Sequence, residues 1–260
     1  MPCGFWQWLY LGIRTDQMAD MIQPVDILAI GVHPDDVELS CSGTLLKHKA
    51  AGMRFGILDL TLGELGTRGN SAIRKEEAMK AAELMGAVFR IQLDLGDGFF
   101  NYSEQSIRAI IPVIRAARPA LVLANALEDR HPDHGRAAKL TADACFYAGL
   151  RKITSVWEGQ EQAAHRPRAV YHYSQDYYLP PDLIVDISDF MDAKLEAIRC
   201  FKSQFYDPQS KEPESPISGK EFIDEVTAKC RVAGRSVGVR FGEAFNVKRP
   251  PGIQLLTDLL

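Results

Sequence analysis

From Val25 onward, short apolar runs alternate with amphipathic segments. VDILAIGV (25–32) is apolar almost without a break, as expected of a strand buried on both faces. SGTLLKHKAAG (42–52) reads as a helix ending at Gly52, and MRFGILDLTLG (53–63) as a second strand with a glycine-rich exit. IRKEEAMKAAELMG (73–86) is a helix with Ala78, Ala82 and Met85 on one face and Gly86 as its stop. FRIQLDL (89–95) is a third strand. Residues 103–117 form a helix with Ile107, Ile110, Ile111 and Ile114 on one side, stopped by Pro119. ALVLANA (120–126) and GRAAKLTADACFYAG (135–149) supply a fourth strand and a fourth helix. Later come strands at RAVYHYS (168–174) and LIVDIS (183–188). A helix within 186–205 turns Met191, Leu195 and Ile198 inward, and another spans 220–234. DPQSKEPESPISG (207–219) is rich in Pro, Ser and charge and reads as a surface loop or a lid.

Strands alternating with helices predict an α/β fold: a mostly parallel sheet with right-handed crossovers and helices on both faces. The alternation stops after four units, which excludes a TIM barrel. A chain of 260 residues fits one such domain. Residues 25–260 are read as that domain and 1–24 as an N-terminal extension. The apolar run Gly4–Ile13 is too short to span a bilayer, and Arg14, the first basic residue, follows it rather than preceding it as in a signal peptide.

Composition changes this picture little. With 46% hydrophobic and 25% charged residues the chain is neither disordered nor a coiled coil. A net charge of -4 gives no pull toward nucleic acid or an anionic membrane, so neither is expected as a partner. Five cysteines at wide spacing, with no CxxC, argue against a disulfide scaffold or a thiolate zinc site and for a reduced, cytoplasmic protein.

Two short segments carry the chemistry. His33-Pro34-Asp35-Asp36 follows the first strand, and His131-Pro132-Asp133-His134 follows the fourth. Each lies at a strand's carboxyl edge, where open α/β sheets bind ligands, next to the point where strand order reverses. The two segments are therefore expected to meet in space. Imidazole and carboxylate suit zinc or another first-row divalent ion, and three protein ligands plus a water is the catalytic pattern. Two histidines and one aspartate can be drawn from these segments with a carboxylate and an imidazole to spare for acid–base work. Which carboxylate binds is left open by the spacing. For any one residue a capped turn competes with this reading, and Asp36 stands just where a helix cap would.

VHPDDVE (32–38), DRHPDHG (129–135) and DLTLGELGTRGN (59–70) resemble the LmbE-like, or PIG-L-like, zinc N-deacetylases, in order over residues 25–149. LDLGDGFF (93–100), YHYSQ (171–175), KSQFYDP (202–208) and the run from Val237 to Val247 resemble one branch, the bacillithiol-biosynthesis deacetylases. The resemblance implies a Rossmann-like fold and a divalent ion, zinc or another first-row metal, held by His33, Asp36 and His134. It implies Asp35 as general base, His131 as a protonated group stabilising the oxyanion or assisting the leaving amine, and Asp133 as the residue that orients His131. Arg68 would contact sugar hydroxyls or an aglycone carboxylate. The implied substrate is a small N-acetylated amino sugar, N-acetylglucosaminyl malate in that branch, and the implied assembly a homo-oligomer. A mycothiol-type conjugate is the alternative substrate. Val32 and Cys41-Ser42-Gly43 depart from the family's usual Ala and Gly-Gly at these places.

A nucleotide-binding Rossmann protein is the competing class, but HPDD stands where its glycine fingerprint belongs. Gly63, Gly66 and Gly69 read as a loop rim with Arg68 exposed on it, Asp97 as a turn residue whose place at the carboxyl edge also lets it touch substrate, and Glu38 as a first-turn helix charge. Tyr171, Tyr173, Tyr177 and Tyr178 fit either a sugar wall or a core edge.

Overall fold

A computed structural model describes residues 22–258 of the chain. The apolar run at 4–13 lies outside the described residues. In chain order the elements are β1 (Ile27–Gly31), α1 (Asp36–Ala50), β2 (Phe55–Asp59), α2 (Ser71–Met85), β3 (Arg90–Gln92), α3 (Glu104–Ala117), β4 (Leu121–Ala124) and α4 (Pro132–Ala148). A small hairpin follows, β5 (Val156–Trp157) and β6 (Gln160–Glu161), and then β7 (Ala169–Tyr173), β8 (Leu183–Asp186), α5 (Met191–Ile198), α6 (Phe222–Ser236) and β9 (Gly242–Val247).

The main sheet has the order β3-β2-β1-β4-β7-β9-β8. β3, β2, β1, β4 and β7 are parallel; β9 pairs antiparallel with β7, and β8 pairs antiparallel with β9, so β9 alone runs against the rest. Strand order reverses between β1 and β4, which pair directly with Ile27 opposite Leu121. The pleat divides β1 between two cores. Leu28 and Ile30 pack with α3 and α4, and Ile27 and Ala29 pack with α1 and with Met85 of α2. The sheet is thus covered on both faces, and its run-like apolar strands follow from that. Ile22 joins the first core, so packing begins inside the segment read as an extension.

Helix ends follow local chemistry where the cap is a side chain. Asn70 accepts the Ala72 and Ile73 N–H groups at 3.0 Å, and Gly86 ends α2 at φ 69°. α1 departs furthest from the sequence expectation, starting at Asp36 instead of residue 42. Its first turns bury polar residues (Asp36, Glu38, Ser40, Ser42) beside apolar ones, so no amphipathic stripe marks them. α4 likewise begins at Pro132, inside the second chemical segment, with His131 as its cap. β9 escaped the sequence pattern because its Glu243 is buried. Its carboxylate accepts Gly43 and Thr44 N–H at 3.0 and 2.7 Å and pairs with the Lys194 ammonium at 2.8 Å.

Glu38 is not a solvated first-turn charge. Its side chain is fully buried, and Arg90 Nη1 donates to it at 2.6 Å. The same guanidinium grips both oxygens of Asp59 at 2.8 and 2.9 Å, joining β2, β3 and α1 beneath the sheet's carboxyl edge. Burial raises the Glu38 carboxyl, and Arg90 opposes that rise. No described helix is long and apolar enough to cross a membrane. The four described cysteines are all free.

Arg90→Met leaves two buried carboxylates facing each other without a cation. The variant is expected to lose about 3–5 kcal/mol of stability in denaturant unfolding. A loss below ~1 kcal/mol, the range of an exposed pair, would show that the network contributes little.

Candidate metal and acid–base site

The loops leaving β1, β3, β4 and β7 converge at the carboxyl edge, where sheet order reverses. They bring His33, His131 and His134 together, with ring centroids 4.7, 5.2 and 5.6 Å apart. The two segments read from the sequence do meet in space.

Asp36 organises the cluster. Its Oδ2 accepts Val32 N–H, His33 N–H and Asn125 Nδ2, each at 2.9 Å. Its Oδ1 faces His134 Nε2 at 3.2 Å and accepts Gln175 Nε2 at 3.1 Å. The carboxylate therefore caps the β1 loop and not its own helix. Burial works against its charge, but His134 and His33 hold it well below the usual carboxylate range.

His134 is held from its other side. Asp129 Oδ2 lies 2.5 Å from Nδ1, while Asp129 Oδ1 accepts the N–H groups of Asp176 and Tyr177 at 2.8 and 2.7 Å. A carboxylate on the far nitrogen of a ligating imidazole fixes tautomer and orientation. The sequence reading passed over Asp129; its signal was an acid five residues ahead of a candidate ligand. His33 Nε2 faces Asp97 Oδ1 at 3.0 Å and Asp133 Oδ2 at 3.6 Å, so Asp97 belongs to the cluster and is more than a turn residue. Burial opposes charge on both imidazoles. Asp133 and Asp97 nonetheless raise His33 to about 10, and Asp36 and Asp129 raise His134 to about 9.

Asp35 takes φ 124°, a strained backbone for a residue with a side chain. It makes no side-chain cap to α1. Arg74 holds the loop in this shape, donating from Nη2 to Pro34 O at 2.7 Å and Asp35 Oδ2 at 3.1 Å, and from Nη1 to Gly63 O at 3.1 Å. The guanidinium fills the space that a Cβ at Gly63 would need. Burial lifts the Asp35 carboxyl above its ordinary range; Arg74 opposes this and Asp36 adds to it. The sequence reading passed over Arg74 as well.

Asp133 sits differently from the expectation. Its carboxylate accepts Gly98 N–H and Arg136 Nη1, each at 2.9 Å, and makes no hydrogen bond to the His131 ring. What reaches that ring is the Asp133 backbone N–H, donated to Nδ1 at 3.3 Å. Nδ1 is then an acceptor and the ring proton belongs on Nε2. Burial, His33 and His134 lower the His131 pKa, and Asp133 opposes them in part. Arg68 is not exposed on its loop either. It is 5% exposed, and its guanidinium donates to Phe205 O at 3.2 Å and to the Ser210 hydroxyl, tying down the 207–219 segment.

The donor set fits a divalent first-row ion. His33, His131 and His134 each offer a ring nitrogen within 4.8 Å of the others, and His33, Asp97 and Asp133 form a second such set. Asp36 stands between His33 and His134, 3.8 Å from Nδ1 of the former. A buried cluster of carboxylates and imidazoles calls for positive charge among them. Around it opens a cavity of about 1040 Å³ lined also by Arg68, Tyr177 and Tyr178. Tyr173 takes no part; it is fully buried and donates to Ile30 O at 2.9 Å.

Comparison with known proteins agrees with this geometry. Residues 28–145, which include both chemical segments, match the PIG-L profile described as GlcNAc-PI de-N-acetylase. The chain is 34% identical over 189 residues to a diacetylchitobiose deacetylase from Thermococcus kodakarensis, covering 69% of this chain and 70% of that one. It is 23% identical over 195 residues to a probable N-acetyl-alpha-D-glucosaminyl L-malate deacetylase 2 from Bacillus anthracis, covering 69% of this chain and 81% of that one. The bacillithiol branch suggested by the softer sequence strings is thus a distant relation. The structure of the conserved protein TT1542 from Thermus thermophilus superposes with a TM-score of 0.79 at 32% identity, covering 89% of this chain and 98% of that one. The chain belongs to the PIG-L family of de-N-acetylases.

Proposed function

We propose that this protein removes acetate from an N-acetylglucosamine unit of a small molecule, using a divalent ion, zinc or a similar first-row metal, held by His33, Asp36 and His134. The observation that carries the reading is Asp36. Three donors saturate its Oδ2, and its Oδ1 is aimed at His134, as a carboxylate ligand fixed from behind must be. When bound, the ion supplies Lewis acidity toward the acetamide carbonyl and a lowered pKa for water.

The remaining chemistry belongs to the chain. Arg74 holds Oδ2 of Asp35, leaving Oδ1 to accept a proton from the attacking water. The raised affinity of this buried carboxyl for a proton suits a group that must then return it. His131 donates from Nε2 to the carbonyl oxygen as charge develops there. Asp35 hands its proton to the sugar nitrogen as the C–N bond breaks, and acetate and a free 2-amino sugar leave. Asp133 steadies His131 through its backbone N–H, while its carboxylate steadies His33 and the Gly98 loop. Arg68 would meet sugar hydroxyls by exchanging its bond to Ser210.

Support for the aglycone divides. The sequence strings favour malate, and the higher identity belongs to a relative named for diacetylchitobiose. N-acetylglucosaminyl malate is therefore one arm of the test.

Acetate release from N-acetylglucosaminyl malate, diacetylchitobiose and methyl N-acetylglucosaminide is expected from metal-loaded protein and is expected to stop on chelation. Release from none of them by fully loaded protein would overturn the reading. Asp35→Ala should keep its metal and lose about two to four decades of rate; a normal rate would remove Asp35 as the base. Titration with zinc should show Asp129→Ala weakened ~10–100-fold, as for other carboxylates that orient a ligating imidazole. His134→Ala should lose the metal altogether, and full occupancy in that variant would remove His134 from the ligand set.

A further inference from the structure

Gln175 follows β7, and its amide lies against two of the atoms that would hold the ion. Its Nε2 is 3.1 Å from Asp36 Oδ1 and 3.4 Å from His134 Nε2, and those two atoms are 3.2 Å from each other. The side chain is half-buried and lines the cavity.

The amide is held in one orientation. Oε1 accepts the Ala126 N–H at 3.1 Å and Asn125 Nδ2 at 3.0 Å. Turned over, the amide would set its NH2 group against two donors. Asn125 is fixed in turn. Its Nδ2 also donates to Asp36 Oδ2, and its backbone carbonyl accepts the buried His172 Nδ1, each at 2.9 Å. The loop backbone is held as well. The Gln175 carbonyl accepts Lys229 Nζ at 3.3 Å, and the N–H groups of Asp176 and Tyr177 go to Asp129. A donor fixed in this way before the reaction costs no reorganisation when charge appears beside it.

An amide nitrogen carries two protons. One serves Asp36 Oδ1. The other faces His134 Nε2 at 3.4 Å, long for an N–H donor. With an ion bound, His134 gives the lone pair of Nε2 to the ion and accepts nothing. One N–H is then left at the cluster without an acceptor among the described residues. The acetamide carbonyl oxygen is such an acceptor, and negative charge develops on it as water attacks.

We propose that Gln175 Nε2 donates to the acetamide carbonyl oxygen, which makes Gln175 a catalytic residue of this site together with His131. The inference rests on the deacetylase reading above and adds to it a second donor for the developing oxyanion. The two donors come from different elements, His131 from the cap of α4 and Gln175 from the loop after β7.

Gln175→Met keeps the reach of the side chain and removes the donor. At full zinc occupancy, checked by metal analysis, its kcat on methyl N-acetyl-β-D-glucosaminide is expected to fall about 10²–10³-fold, as for a lost oxyanion donor. An unchanged kcat at full occupancy overturns the inference and leaves Gln175 as a support for Asp36. The N-trifluoroacetyl sugar separates the two roles. Its fluorines draw charge off the carbonyl oxygen, so the loss is expected to be smaller there than on the N-acetyl sugar. Equal losses on both sugars overturn the inference. Methylphosphonate, a tetrahedral anion carrying a methyl group as acetate does, gives a binding readout. Calorimetry of the zinc-loaded protein should find it about 10–100-fold weaker in Gln175→Met, as for a lost hydrogen bond to a charged group; equal binding counts against the donor. Gln175→Glu keeps Oε1 for Ala126 and Asn125 and puts an oxygen where the donor stood, so it keeps the test decisive if Met unsettles the loop. Its loss of rate is expected to be at least as large, and a full rate overturns the inference. No acetate or trifluoroacetate release by the unsubstituted, zinc-loaded protein overturns the deacetylase reading beneath it.

Discussion

One buried carboxylate holds the working edge of this protein together. Asp36 is the first residue of α1, yet its donors come from three strands: Val32 and His33 after β1, Asn125 after β4 and Gln175 after β7. Those strands sit side by side at the place where sheet order reverses. A carboxylate buried without such partners would cost several kcal/mol and would neutralise itself. With them it stays charged, and its charge in turn demands cationic or metallic company. The architecture of the sheet and the chemistry of the site are the same constraint seen from two sides.

The residues around Asp36 divide into those that face the reaction and those that hold the first group still. Arg74 keeps Asp35 in a backbone conformation that a residue with a Cβ rarely adopts, and does so through two carbonyls as well as the carboxylate. Asp129 fixes His134 while tying down the 176–177 backbone. Deeper in the molecule, Arg90 and Lys194 neutralise carboxylates that brace α1 from below and from the side. Strain at the site is carried by a scaffold dense in buried, paired charge, as expected where a site must be organised before its ligand arrives.

Much of this was legible in the chain. The alternation of run-like apolar segments with amphipathic ones reports parallel strands covered on both faces, because only those strands lack a polar side. His33, Asp35, Asp36, His131, Asp133 and His134 stood out because two similar segments followed two strands. The start of α1 did not, since its polar residues are as buried as its apolar ones. The roles of Asp129 and Arg74 were also hidden. Each acts through a partner at a distance in space, and nothing in its local sequence says which.

By itself the sequence determined the fold class, the meeting of the two chemical segments and the kinds of atom they bring. Local periodicity and residue type are enough for that. Only the tertiary structure decided which atom faces which. It turned the Asp133 carboxylate toward Gly98 and Arg136, gave His131 Nδ1 a backbone N–H, and buried Arg68 against Phe205 and Ser210. Hydrogen bonds are directional over about 3 Å, so these choices depend on the relative placement of whole strands and helices, which no stretch of the chain encodes alone.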